Sequence, residues 1–353
     1  MHISAPLQFL THYNQKKSGG DMRAAWYQRL GPASEVLELG EMPDPTPSSG
    51  ELLIRLFASG VNPADVKRRA GLGSYSKMEH SRVIPNSDGA GVVVGIGENA
   101  QPSWLGRRVW LFNGQRLGRA YGTAAELISL PSKFVTDLPG HISFDEGATL
   151  GIPAMTAFHG VFSDGAVKGK TVLVSGGAGA VGWYSVALAA WGGAQVIATV
   201  SSPEKAARAM AGGAYATINY KSEDVVSRLN ELTDGRGVDR LVSVDFGGDL
   251  RWATQVVAMN GSISSYASDT QKHPQIAFQE FASRNIRFIP FILNSLPSHV
   301  LDRARWGVNA WLEEQPNLMR PVGGKFVLEE IAASHEAVEA GEKFGTIVVR
   351  PGE

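Results

Sequence analysis

Residues 171–208 read TVLVSGGAGAVGWYSVALAAWGGAQVIATVSSPEKAAR, and the fold turns on this stretch. Thr171 to Val174 is a short apolar, β-branched run, the pattern of a strand buried on both faces. It gives way at Ser175 to a glycine-rich turn, Gly176-Gly177-Ala178-Gly179-Ala180-Val181-Gly182. A helical pattern follows, with Val186, Ala187 and Ala190 spaced to pack on a sheet, and stops at Gly192-Gly193. Gln195 to Val200 then reads as a second strand, completing one βαβ unit. Such a turn lets the backbone approach a pyrophosphate, and the helix start offers it free N–H groups and a positive dipole end. Glycine and alanine also build ordinary βα turns. The strand before, the helix after and the second strand at the expected distance favour a dinucleotide site. Its candidate residues are Gly176, Gly179, Ala180, Val181 and Gly182.

The tip of the second strand separates NAD from NADP. An NAD site usually has Asp or Glu there, bonded to the ribose 2′-hydroxyl. Here the tip reads Thr199-Val200-Ser201-Ser202-Pro203-Glu204-Lys205, with no acid at the strand end. Ser202 is a fitting N-cap and Pro203 a fitting first helical residue, so a second helix start faces that point. Hydroxyls, a helix start and a cation suit a 2′-phosphate, which a carboxylate would repel. Ser201, Ser202 and Lys205 are therefore candidate contacts, and the expected cofactor is NADPH. Two readings compete: Lys205 as a solvated surface charge, and Glu204 as an acid just inside the cap.

Composition sets bounds. The chain has 353 residues, enough for two domains. Lys plus Arg number 33 against 34 Asp plus Glu, which argues against nucleic acid or an anionic membrane as a main partner. No apolar run is long enough to span a bilayer. Cysteine is absent, so disulfides, thiolate nucleophiles and cysteine-ligated zinc are impossible. No metal site is expected, and the eight histidines show no ligand spacing.

Residues 1–21 stand apart as an extension or linker, polar around Asn14 to Gly20 and ending in Ser18-Gly19-Gly20. They lack the cationic start and apolar core of a signal peptide. Lys16 and Lys17 before any acid leave a transit-peptide reading open. Arg23 to Tyr27, Glu51 to Ala58, Val92 to Val94, Arg107 to Phe112 and Ala124 to Ser129 read as short strands among glycines and prolines. They predict a compact, barrel-like region over 22–150. The prolines Pro43, Pro45 and Pro47 mark a loop. After the βαβ unit, strands are expected at Ala216 to Asn219, Asp239 to Val244, Gly261 to Tyr266 and Arg287 to Leu293. Helices are expected between them, one at Arg251 to Met259. The fold class is thus α/β: a barrel-type domain at 22–150, a doubly wound parallel sheet at 151–286, and a return to the first domain at 287–353.

Several segments together carry a family resemblance. They are Gly60-Val61-Asn62-Pro63-Ala64-Asp65, Ile84-Pro85-Asn86-Ser87-Asp88-Gly89-Ala90-Gly91, Ala154-Met155-Thr156-Ala157-Phe158, the glycine turn, and Ile218-Asn219-Tyr220. From Met22 to Pro351 the chain resembles the medium-chain dehydrogenase/reductase superfamily, in its zinc-free quinone oxidoreductase, or zeta-crystallin-like, branch. The resemblance implies a GroES-like catalytic domain, a Rossmann domain and an active-site cleft between them. It also implies a homodimer, and since nothing suggests export the expected compartment is the cytoplasm. The zinc members' Gly-His-Glu is Asn-Ser-Asp-Gly here. Reduction without a metal suits acceptors that are already electrophilic.

The resemblance further implies roles for single residues. Asn62 matches an asparagine near the nicotinamide able to bond an acceptor oxygen, or else is a turn residue before Pro63. Thr156 matches a threonine beside the nicotinamide ring, or else packs through its methyl. Tyr220 and Lys205 match the tyrosine and cation of the 2′-phosphate site. Lys67 stands where some members have a cleft tyrosine, and is kept as a catalytic candidate. Gly341 replaces an arginine that some members aim at the 2′-phosphate, with Lys343 nearby. Tyr266, Phe291 and Leu293, late in the strand series, complete the cofactor-binding set. The activity expected is NADPH-dependent reduction of a quinone. The alternatives are reduction of an enone or enoyl thioester, and a non-catalytic NADPH-binding protein.

Overall fold

The computed structural model describes residues 20–341 and 344–352, which form two compact units. Most of residues 1–21, and Lys343, lie outside that range. One unit is 1–152 with 319–353, and the other is 153–318.

The first unit is mostly antiparallel. β1 (Asp21–Trp26) pairs with β2 (Glu38–Pro43). β3 (Glu51–Val61) is the long central strand, followed by β4 (Asp88–Ile96), β5 (Arg108–Leu111), β6 (Leu127–Pro131) and β7 (Val135–Asp137). After the second unit the chain returns with β14 (Val322–Val327) and β15 (Thr346–Arg350), giving the order β14-β15-β3-β4-β5-β7, with β6 also on β3. Register shifts between β3 and β4 interrupt the ladder twice, and bulges of that kind bend a strand. Alternate residues of β3, Leu52, Ile54, Leu56 and Ala58, are fully or almost fully buried. β2 corrects the loop expected at Pro43: this proline ends an edge strand, where its missing N–H costs no ladder bond.

The second unit holds β8 (Thr171–Val174), β9 (Gln195–Val200), β10 (Ala216–Asn219), β11 (Val238–Ser243), β12 (Val257–Ser265) and β13 (Arg287–Pro290). All neighbours are parallel, in the order β10-β9-β8-β11-β12-β13. Direction reverses between β8 and β11, the switch point where such sheets bind ligands at their carboxyl ends. β8, β9 and β10 lie where the sequence places them. The helix expected at Arg251 to Met259 instead spans Phe246–Val256, because Val257 already pairs with β11. The strand expected to reach Leu293 ends at Pro290, and Leu293 opens a 3₁₀ turn.

The boundary expected at 286/287 falls at 318/319. Two contacts explain it. β13 extends the parallel sheet through β12. The helix Ser298–Glu314 packs on Met155–Phe162, where a Cβ on Gly307 would stand 2.0 Å from the Phe158 ring. The architecture is the expected α/β one, a GroES-like unit and a Rossmann-like parallel sheet.

Candidate functional site

The glycine turn caps β8 at the switch point. Gly176 takes φ +62°, a left-handed conformation open to glycine at little cost. Its N–H donates to Thr199 Oγ1 at 3.1 Å, and Gly177 N–H donates to Thr199 O at 3.0 Å, which ties the turn to β9. Gly179 is the N-cap of the helix Ala180–Trp191, whose first turn holds Val181 and Gly182. A Cβ on Gly182 would lie 2.1 Å from Gly176 O, so the turn closes on the helix only without a side chain there. Gly179 is different: the nearest atom to a Cβ there would be Gly176 O at 3.4 Å, which leaves room for an approaching group.

At the tip of β9, Ser202 caps the helix Pro203–Ala211, its Oγ accepting Lys205 N–H at 3.3 Å. Lys205 Nζ lies 2.9 Å from Ser201 Oγ. These three expected residues are brought together. Glu204 is there too: the Ser202 hydroxyl beside it holds its exposed carboxyl below the usual range. Tyr220, half exposed, follows β10, with its N–H on Val200 O at 3.1 Å. At the ends of β12 and β13 the rings of Tyr266 and Phe291 lie 6.1 Å apart, and His159 meets Phe291 edge-on at 4.5 Å. Leu293 is buried just beyond. Thr156, also buried, sits in the helix Met155–Phe162.

One residue here was not foreseen. Asp249, on the helix Phe246–Val256, accepts the Ser243 hydroxyl at 2.7 Å at the end of β11. Burial pushes its carboxyl up to about 6, against the pull of the Ser175 and Ser243 hydroxyls. No spacing rule points to it.

In the first unit, Asn62 precedes the helix Pro63–Ala70 in extended conformation and is buried. Its backbone N–H donates to Asp65 Oδ2 at 3.0 Å, and its side-chain Nδ2 donates to Asp88 Oδ2 at 2.8 Å. Asp65 also accepts the Ser87 hydroxyl at 2.8 Å and pairs with buried Arg116 at 2.9 Å. That bonding makes it an anchor for the helix start. Lys67 lies in the last turn of the same helix, half buried. Asp88 is fully buried. Desolvation first, and the Asp65 charge second, push its carboxyl up to about 8, against the bonds from Ile152 and Asn62. The Asn86-Ser87-Asp88 motif signalled the position but not its ionisation.

Two family models match: "Alcohol dehydrogenase GroES-like domain" over residues 48–140 and "Zinc-binding dehydrogenase" over 180–306. The donor set does not fit the metal of that second description. Cysteine is absent, and among the described residues no group of three or more His, Asp or Glu is placed to hold an ion. Nor is any described helix long and apolar enough to cross a membrane. Human quinone oxidoreductase is 27% identical over 319 residues, 87% of this chain and 91% of its own. A mycobacterial protein solved in complex with NADPH superposes with TM-score 0.78 at 25% identity, over 94% of this chain and 100% of that one. An NAD-dependent alcohol dehydrogenase structure superposes with TM-score 0.83 at 28% identity, over 94% of this chain and 100% of that one. Fold order, glycine turn and these likenesses agree: the chain belongs to the medium-chain dehydrogenase/reductase superfamily, in its quinone oxidoreductase branch.

Proposed function

We propose that this protein is an NADPH-dependent reductase of quinones that works without a metal. The observation that carries the cofactor reading is Lys205 held on Ser201 at the tip of β9, beside the capped helix start. A cation and two hydroxyls suit a 2′-phosphate. Relatives named quinone oxidoreductase and a neighbour solved with NADPH support the same reading. Glu204 and the NAD-dependent neighbour pull toward NADH, so cofactor preference is measured alongside activity.

When bound, the dihydronicotinamide supplies a hydride, which with one proton converts quinone to hydroquinone as NADPH becomes NADP⁺. In this reading Gly176, Gly179, Ala180, Val181 and Gly182 hold the pyrophosphate. Ser201, Ser202, Lys205 and Tyr220 surround the 2′-phosphate. Tyr266, Phe291 and Leu293 wall the nicotinamide, and Thr156 abuts its ring. Asn62 donates a hydrogen bond to the quinone oxygen that gains charge, the kind of donor that stabilises such a transition state. Lys67 is kept as a second polar group for that oxygen. The family resemblance adds a homodimer, and light scattering that gives a monomer removes it.

The second reading is reduction of enones, which takes the same hydride and needs a proton at the α-carbon. Loss of NADPH absorbance with a naphthoquinone and with an enone, run in parallel, tests both. NADPH binding with turnover of neither favours a non-catalytic role.

A further inference from the structure

Asp88 opens β4 with its side chain wholly inside the protein. Its Oδ2 accepts two donors, Asn62 Nδ2 at 2.8 Å and the Ile152 N–H at 2.7 Å. Its Oδ1 has no partner. Gly151 closes on that oxygen: a Cβ there would come within 2.2 Å. Both N–H bonds thus fall on one oxygen, which fixes the carboxyl plane against Asn62 and Ile152. Burial raises the same carboxyl to about 8.

Asn62 is gripped from two sides, its backbone N–H on Asp65 and its amide on Asp88. The terminal torsion of an asparagine is broad and nearly two-fold, so an amide without a partner presents either its oxygen or its nitrogen. A quinone oxygen accepts only from the nitrogen. We infer that Asp88 is a positioning residue, fixing the Asn62 amide so that its remaining N–H, and not its carbonyl, is offered to the acceptor. The inference rests on the role proposed above for Asn62.

The test is a double-mutant cycle read in kcat and in KM for NADPH. Asp88→Leu removes the acceptor and is expected to lower kcat about tenfold or more with KM for NADPH within about twofold, the pattern of a lost transition-state contact. Asp88→Asn still offers one oxygen to both donors and is expected to restore most of kcat. It also removes the inflection near pH 8 from the kcat profile. In an Asn62→Ala background, Asp88→Leu costs nothing further. Gly151→Ala pushes the carboxyl aside without altering either residue and repeats the kcat loss, which covers the case where Asp88→Leu does not fold. Losses that multiply across the cycle overturn the inference, as does an Asn62→Ala enzyme with unchanged kcat. A wild-type protein that turns over neither quinone nor enone overturns the functional reading itself, and is recognised before any variant is made.

Discussion

Lys205 Nζ sits 2.9 Å from Ser201 Oγ, and the carboxylate one residue before it, Glu204, takes its hydrogen bond from Ser202. In the proposed reading, charges of both signs therefore share the 2′ site, the point where NADPH and NADH differ. Lys205→Ala is expected to raise KM for NADPH about tenfold or more, the ~1.5–3 kcal/mol of a hydrogen bond to a charged group, and to leave KM for NADH unchanged. Glu204→Gln is expected to lower KM for NADPH by removing a repulsion. Steady-state kinetics with both cofactors checks the pair. Equal effects on NADH would show that neither residue reads the 2′ position.

The glycine turn separates binding from folding. Gly182→Ala drives a methyl into Gly176 O, so both melting temperature and NADPH affinity fall. Gly179→Ala meets little protein and has an ordinary φ of −72°, so melting is expected to move little. The added methyl still occupies the approach to the helix start, and NADPH affinity falls. Calorimetry and fluorescence titration on the two variants check the contrast. A Gly179→Ala protein with unchanged affinity would place the pyrophosphate elsewhere.

Buried titratable groups set opposing pH dependences. Burial first, and Arg69 second, push His335 down to about 3. Its folded value is depressed, so its contribution is present above the unfolded value near 6.5 and is lost as pH falls toward 3. Asp88 and Asp249, raised to about 8 and about 6, act the other way. Their contributions are full below about 4 and are lost as pH rises through the folded values. His335→Leu should tilt stability toward acid and Asp88→Asn toward base, each by about 1.4 kcal/mol per pH unit in the window from 5 to 6. Denaturant unfolding at several pH values measures both tilts. Equal slopes in all three proteins would show that these groups titrate alike folded and unfolded.

Arg240 is a buried cation in a central strand. Its guanidinium donates to Ser262 Oγ at 3.1 Å, to Asp164 O at 2.7 Å, to Gly165 O at 3.1 Å and to Val161 O, covering the carboxyl end of the helix Met155–Phe162. Arg240→Met leaves those carbonyls without a donor and is expected to cost about 3 kcal/mol or more, with quinone specificity unchanged. A melting temperature unaltered by the change would mean that water replaces the guanidinium.

The second unit was the more legible in sequence, because parallel strands buried on both faces leave unbroken apolar runs such as Thr171–Val174 and Gln195–Val200. The first unit blurred where local and tertiary signals conflict. β2 ends in Pro43, and β14 carries Gly323 and Gly324, residues that discourage a strand until a neighbour pairs with it. The candidate site divided the same way. Ser202, Pro203 and the glycines act locally and were readable. Asp88 and Asp249 matter through what buries them, and Arg240 through a helix end over seventy residues away in sequence. None of these contacts leaves a periodic trace.

The central claim is most directly tested by NADPH oxidation with a naphthoquinone as acceptor, with NADH and an enone as parallel arms. Rapid quinone turnover with NADPH and little with NADH is the predicted result. Turnover that prefers NADH, or that occurs with the enone alone, would contradict it.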